Sequence, residues 1–246
     1  MQMIIKNWFR WLGVPLILIL ISAAFVIYVV NNPGGAMAAR SLTYQNVLRY
    51  LREHVHLVFV ALGLATAVGV PAGILLTRPK LRRIGKVVEN IVNVGQTIPS
   101  LAILALFYVY LGLGFRTGVF ALWLYCILPI LRNTYAGIKS IEPGIIEAAL
   151  GMGMNPVKIL TRIELPLSYP VIMAGIRTAV VICVGTATMA TFIGAGGLGD
   201  LIVTGLSVRR TIIILTGAFL SAMLAIILDY ILGQVEQYLT GRDVNS

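Results

Sequence analysis

Residues 147–166 read EAALGMGMNPVKILTRIELP, and this stretch decides how the rest of the chain is read. It is polar and rich in helix punctuation, yet it interrupts a chain that is otherwise mostly apolar. Its distinctive positions are Glu147-Ala148-Ala149, Gly153, Ile163 and Leu165-Pro166, spaced as E-A-A, three residues, G, nine residues, I-x-L-P. Local chemistry predicts two short helices here. Pro143 suits the first turn of one, where a missing N–H needs no partner. Asn155 followed by Pro156 starts the other, with the asparagine as N-cap. Gly151 and Gly153 are expected to supply the bend, because glycine tolerates positive φ. Leu165-Pro166 is expected to end the unit, which covers residues 136–167.

Of the 246 residues 59% are hydrophobic and only 11% charged, with mean hydropathy +0.93. Soluble domains carry roughly 25% charged residues. A membrane-crossing helix needs about 20 mostly apolar residues, and several runs meet that. The expected class is therefore an all-α integral membrane protein with about six transmembrane helices. The net charge of +10 does not point to nucleic acid. Basic residues cluster beside span ends, as at Arg78, Lys80, Arg82, Arg83 and Lys86, which is the positive-inside pattern. Cys126 and Cys183 lie in apolar runs and read as packed thiols. His54 and His56 are two apart and share no helical face, so no metal site is expected.

The first apolar run, residues 12–30, follows Lys6 and Arg10 and is too long for a signal-peptide core. Residues 41–54 are amphipathic, with Tyr44, Val47, Leu48 and Leu51 opposite Gln45, Arg49, Arg52 and Glu53. An interfacial helix is expected there. Further spans are expected at residues 55–76, 88–111, 119–135, 168–193 and 211–232. The chain thus divides into residues 1–54 (a span plus an outer segment), 55–233 (the main membrane domain) and 234–246 (a short tail). An N-terminus on the inside places more of the basic residues on inner segments than on outer ones. The termini and the 136–167 loop are then cytoplasmic.

Polar residues inside spans are costly in lipid and so are informative. Glu89, Asn93, Gln96 and Ser100 recur at helical spacing in the third span, and Asn93, Gln96 and Ser100 are candidates for lining a pathway. Helix–helix hydrogen bonding is the alternative. Pro99 is expected to free the carbonyl of Gly95. Arg177 and Asp229, in the fifth and sixth spans, are candidates for an intramembrane ion pair or, alternatively, a substrate contact. Residues 194–199, GAGGLG, fit G-x-G-x-x-G, but that motif binds nucleotides only after a strand. Here it follows a span, so Gly194, Gly196, Gly197 and Gly199 are expected to form an outer turn. No P-loop is present, since Gly137-Ile138-Lys139-Ser140 has the wrong spacing.

The loop pattern resembles the signature loop of ABC-importer permeases. Further stretches are similar to the quaternary-amine osmoprotectant importers for glycine betaine, choline and carnitine. They are QTIPSLAIL at 96–104, ILPILRNTYAGI at 127–138, MAGIRT at 173–178 and FIGAGGLGD at 192–200. The resemblance covers roughly residues 55–233 and leaves 1–54 outside. It implies a type I importer permease fold in the cytoplasmic membrane. It also implies that Glu147, Ala148, Ala149, Gly153, Ile163, Leu165 and Pro166 dock on an ATPase subunit. The partners it implies are ATPase subunits, a second permease copy (identical or not), an external substrate-binding protein and membrane lipid. The chain would hold no cofactor and no metal of its own, ATP and Mg being bound by the ATPase. The glycine turn also occurs in methionine importers, so an amino-acid importer is an alternative. A stand-alone secondary transporter or channel is a more distant one, because no internal repeat is evident.

Overall fold

The computed structural model describes residues 12–240, so Lys6, Arg10 and Arg242 lie outside the described residues. The described residues form helices and contain no strand. Helix α1 (Val14–Asn31) is followed by a short α2 (Ala36–Ser41) and by α3 (Tyr44–Leu76). At 33 residues, α3 is about 50 Å long, more than the roughly 30 Å of a hydrocarbon core. The amphipathic segment expected to lie on the membrane surface is thus the first part of α3. Thr43 caps it, accepting from the Asn46 N–H at 3.2 Å. The segment stays in line because its apolar face has a protein partner: Val47 is buried in a cluster with Val29, Leu198 and Ile213.

The third span is broken. Helix α4 (Arg82–Gly95) and helix α5 (Ser100–Leu111) meet at 101°. Among the described residues, five helices are long and apolar enough to cross a membrane, or six if this bent pair is one span. Helix α6 (Phe115–Lys139) follows, then α7 (Pro143–Gly151) and α8 (Pro156–Ile159). A π turn (Leu160–Glu164) joins α8 to α9 (Leu165–Ala187), which tightens into a 3₁₀ segment (Thr188–Ile193). A glycine turn, α10 (Gly199–Ser207) and α11 (Thr211–Thr240) complete the described chain.

The main core lies between α3, α6 and α9. Leu57, Ala61, Leu122, Cys126, Val180, Cys183 and Val184 are buried there. Both cysteines are free, buried thiols. Small residues let α3 and α6 approach closely, as small-xxx-small spacing does in membranes. A Cβ on Gly73 would lie 2.6 Å from Thr134 Cβ, and one on Gly69 would lie 3.0 Å from Ile130. A second core joins α1, the start of α3, α10 and α11, with Phe25 and Phe219 at 4.3 Å between ring centroids.

Candidate coupling and translocation sites

The 136–167 loop is built on one helix stop and one helix start. Helix α7 ends in a Schellman motif. The Met154 N–H reaches the carbonyl of Ala149 at 3.1 Å, and the Gly153 N–H that of Leu150 at 2.9 Å. Gly153 has φ +75°. The spacing of Ala149 to Gly153 is therefore the spacing of this stop. Gly151 lies inside α7, not at the bend, so the expected second hinge glycine is a helical residue. Asn155 Oδ1 accepts from the Lys158 N–H at 2.8 Å and starts α8, with Pro156 in its first turn. Glu147 and Ala148 are exposed, whereas Ala149 is fully buried. Ile163 is half-buried in the π turn.

Leu165 and Pro166 do not end the unit. They form the first turn of α9, which continues from the loop without a break. Inside an α-helix Pro166 would clash with the carbonyl of Arg162, and the wider π turn just before it relieves that crowding. Arg78, after α3, donates to Glu164 at 2.6 Å. A cavity of about 510 Å³ lies beneath α7, lined by Thr77, Tyr135, Lys139, Glu147 and Glu164 among others. The loop is thereby tied to the ends of α3 and α6.

The polar stripe of the third span does not survive as one face. Asn93 is exposed on α4, Gln96 lies in the break, and Ser100 opens α5, where its Oγ meets Met189 Sδ at 3.7 Å. Glu89 faces Lys139 at 3.8 Å. The periodic reading fails because Pro99 excludes α geometry at Ile98 and the Thr97 hydroxyl takes the carbonyl of Val94 at 2.7 Å. The Gly95 carbonyl is not free either; it accepts from the Ile98 N–H at 3.2 Å.

Arg177 grips Asp229 with two nitrogens, at 2.9 and 3.0 Å, and Glu236 with a third at 3.2 Å. Gly233 lies between the two acids, and a Cβ there would stand 3.2 Å from the guanidinium carbon. Sequence reading missed Glu236. Its signal is the spacing of Asp229, Gly233 and Glu236 at i, i+4 and i+7, one face of α11.

The glycine turn is held by α3. Glu53 accepts from the Gly197 N–H at 3.2 Å, and His54 Nδ1 lies 3.4 Å from the Leu198 N–H. The other ring nitrogen of His54 faces the Val184 carbonyl at 3.2 Å. Gly194, Gly196 and Gly197 have φ between +69° and +105°. Gly199 opens α10, where a Cβ would strike the Thr188 carbonyl at 2.0 Å. Asp200 bonds to Thr191. Burial, and then the Glu53 charge, push its carboxyl above the usual range, while Arg49 pulls the other way. Among the described residues no three His, Cys, Asp or Glu gather as a metal site.

Residues 69–241 match the model of the family described as "Binding-protein-dependent transport system inner membrane component". The chain belongs to this family. It is 46% identical over 188 residues to the choline transport system permease protein OpuBB of Bacillus subtilis, covering 76% of this chain and 86% of that one. It is 42% identical over 201 residues to the carnitine transport permease protein OpuCB of Listeria monocytogenes, covering 82% and 91%. Against the osmoprotectant import permease protein OsmY of Salmonella typhimurium it is 40% identical over 225 residues, covering 91% and 92%. This last match leaves out fewer residues than the first 54, so it reaches into the N-terminal segment. A structure of the MetNI methionine ABC transporter shares the fold, with TM-score 0.69 and 24% identity, covering 79% of this chain and 96% of that one. The chain is thus a multi-pass permease of the ABC importer class.

Proposed function

We propose that this permease carries quaternary-amine osmoprotectants such as choline, glycine betaine or carnitine into the cell, driven by ATP hydrolysis in a separate subunit. The observation that carries the substrate class is 42–46% identity, over three quarters or more of the chain, to permeases named for choline and carnitine. An amino-acid permease has less support, resting on 24% identity to the methionine transporter structure.

In this reading the working unit holds two permease copies and ATPase subunits, with a binding protein delivering the solute from outside. The 136–167 loop and both termini face the cytoplasm, in line with the distribution of basic residues. Glu147 and Ala148 are exposed to meet the ATPase, while Ala149 and Gly153 hold the stop that shapes the contact. Ile163, Leu165 and Pro166 pass motion to α9, because the π turn and α9 are one uninterrupted helical column. Arg177 and Asp229 act as a structural clamp. ATP and Mg belong to the ATPase.

The test is uptake of labelled choline, glycine betaine, carnitine and methionine by membranes carrying the whole importer, with and without ATP. ATP-dependent uptake of a quaternary amine is expected, with an ATPase copurifying. Uptake of methionine alone, or uptake indifferent to ATP, would sink the proposal.

A further inference from the structure

Two stretches of span leave regular α geometry side by side, Gln96–Pro99 and Thr188–Ile193. The Ser100–Met189 contact joins them at 3.7 Å. Gly95, just before the break, faces Leu128 at the middle of α6, with 3.3 Å to an added Cβ. The break therefore lies near mid-depth of the bundle. Among the described residues, no turn, loop or cap N–H donates to the carbonyls of Gln96, Thr97 and Ile98. Irregular backbone is tolerated within a membrane only where it is buried in protein or lines a watered cavity. These carbonyls lie between the C-terminal end of α4 and the N-terminal end of α5, whose dipole charges are opposite in sign, so any pull on a cation comes from the carbonyl oxygens themselves. In transporters, unwound backbone carbonyls near mid-membrane coordinate cations.

The neighbouring 3₁₀ segment adds side chains of matching character. Residues three apart eclipse in a 3₁₀ helix, so Met189 and Phe192 share a face. Phe192 is 61% exposed and Met189 40%, while Ala190 and Ile193 are buried.

We propose that the Gln96–Pro99 break, together with Met189 and Phe192, is a transit site for the quaternary ammonium head of the carried solute. A quaternary ammonium donates no conventional N–H hydrogen bond. It is drawn by diffuse negative potential, which carbonyl oxygens and an aromatic face provide, beside a polarisable thioether. None of the groups named here carries a formal negative charge, so the cation is passed on rather than trapped. This site rests on the osmoprotectant reading above.

The test is a fluorination series at Phe192 in the complete importer, in membranes loaded with ATP. Mono-, di- and trifluorophenylalanine drain the negative ring face with almost no change of shape, so folding is left alone. Uptake of choline and glycine betaine is expected to fall stepwise, about five-fold by the trifluoro ring. Phe192→Leu should fall at least as far and Phe192→Tyr should retain uptake. Equal uptake across the fluorinated series overturns the site while leaving the substrate class standing. A wild-type importer that takes up no quaternary amine overturns the reading beneath it before any variant is made.

Discussion

The chain interrupts its helices at 152–155 and again at 96–99, and the two interruptions are finished differently. At 152–155 the stop and the start carry their own partners: the Met154 and Gly153 N–H groups cap α7, and Asn155 caps α8. At 96–99, among the described residues, three carbonyls receive no turn, loop or cap N–H. The first device is rigid in itself and suits a surface that transmits a push. The second depends on whatever meets it from outside the chain. The glycine turn at 194–199 stands between them: the Gly194 and Ala195 N–H groups bond within their own segment, while those of Gly197 and Leu198 meet Glu53 and His54 of a neighbouring helix.

The largest effect is expected at the self-sealed stop. Gly153→Leu puts a side chain where φ is +75° with nothing within 4 Å, so its cost is purely conformational, about 1–2 kcal/mol. Uptake should drop more than ten-fold at normal membrane levels, while Gly153→Asn, which tolerates this region, should recover much of it. Gly151→Ala should be harmless, because Gly151 is helical and unobstructed. Equal losses from Gly151→Ala and Gly153→Leu would show that the Schellman stop is not the feature being read.

The Arg177 clamp gives a yardstick for tertiary polar contacts. Breaking a fully buried pair costs about 3–5 kcal/mol. Arg177 and Asp229 are about a third exposed, so about 2 kcal/mol is the appropriate scale. Arg177→Gln should cost more than Asp229→Asn, because Glu236 still holds the guanidinium in the second variant. Thermal unfolding in detergent, run as a double-mutant cycle, checks this; additive losses would mean that the bond contributes nothing.

What was legible in the sequence divides along the same line. Pro143, Gly153 and Asn155-Pro156 act through their own backbone, so the coupling helices could be read from local chemistry. The membrane class and the number of long apolar runs were equally plain. The continuous α3 was not, because its amphipathic face is covered partly by α10 and α11, which are distant in sequence. Nor was the broken third span. Spacing places Glu89 and Ser100 on one face only while the helix persists, and Pro99 with Thr97 ends it. Gly151 was misread because two glycines share a window and φ alone separates them.

A smaller effect is expected at the open break. Pro99→Ala restores an N–H and lifts the restriction on Ile98, so the two halves gain the option of a straighter path. Uptake should fall about two- to three-fold while stability in detergent is unchanged or slightly lowered, because the unfolded chain gains freedom when the proline is removed. Unaltered uptake with a demonstrably straighter span would show that the bend is idle.

The smallest effect belongs to the turn sealed by its neighbour. Burial raises the Asp200 carboxyl and Glu53 raises it further. A carboxyl whose folded pKa lies above its unfolded value binds its proton more tightly when folded. Its contribution is therefore fully present below the ordinary carboxylate range of about 4 and is lost as pH rises through the folded value. Unfolding temperature in detergent, followed from pH 7 downward, should show the Asp200 contribution as a small gain as pH falls through its raised folded value. In Asp200→Asn that gain should vanish, because the amide has no proton to take up. The Glu53 charge facing Gly197 shapes the same window, so Glu53→Gln should shift the gain to lower pH by removing the second cause of the raised value. The same pH dependence in wild type and Asp200→Asn would place the titrating group elsewhere. The turn would then be held by its glycine geometry and the Glu53 and His54 contacts alone, closer to the self-sealed stop than to the open break.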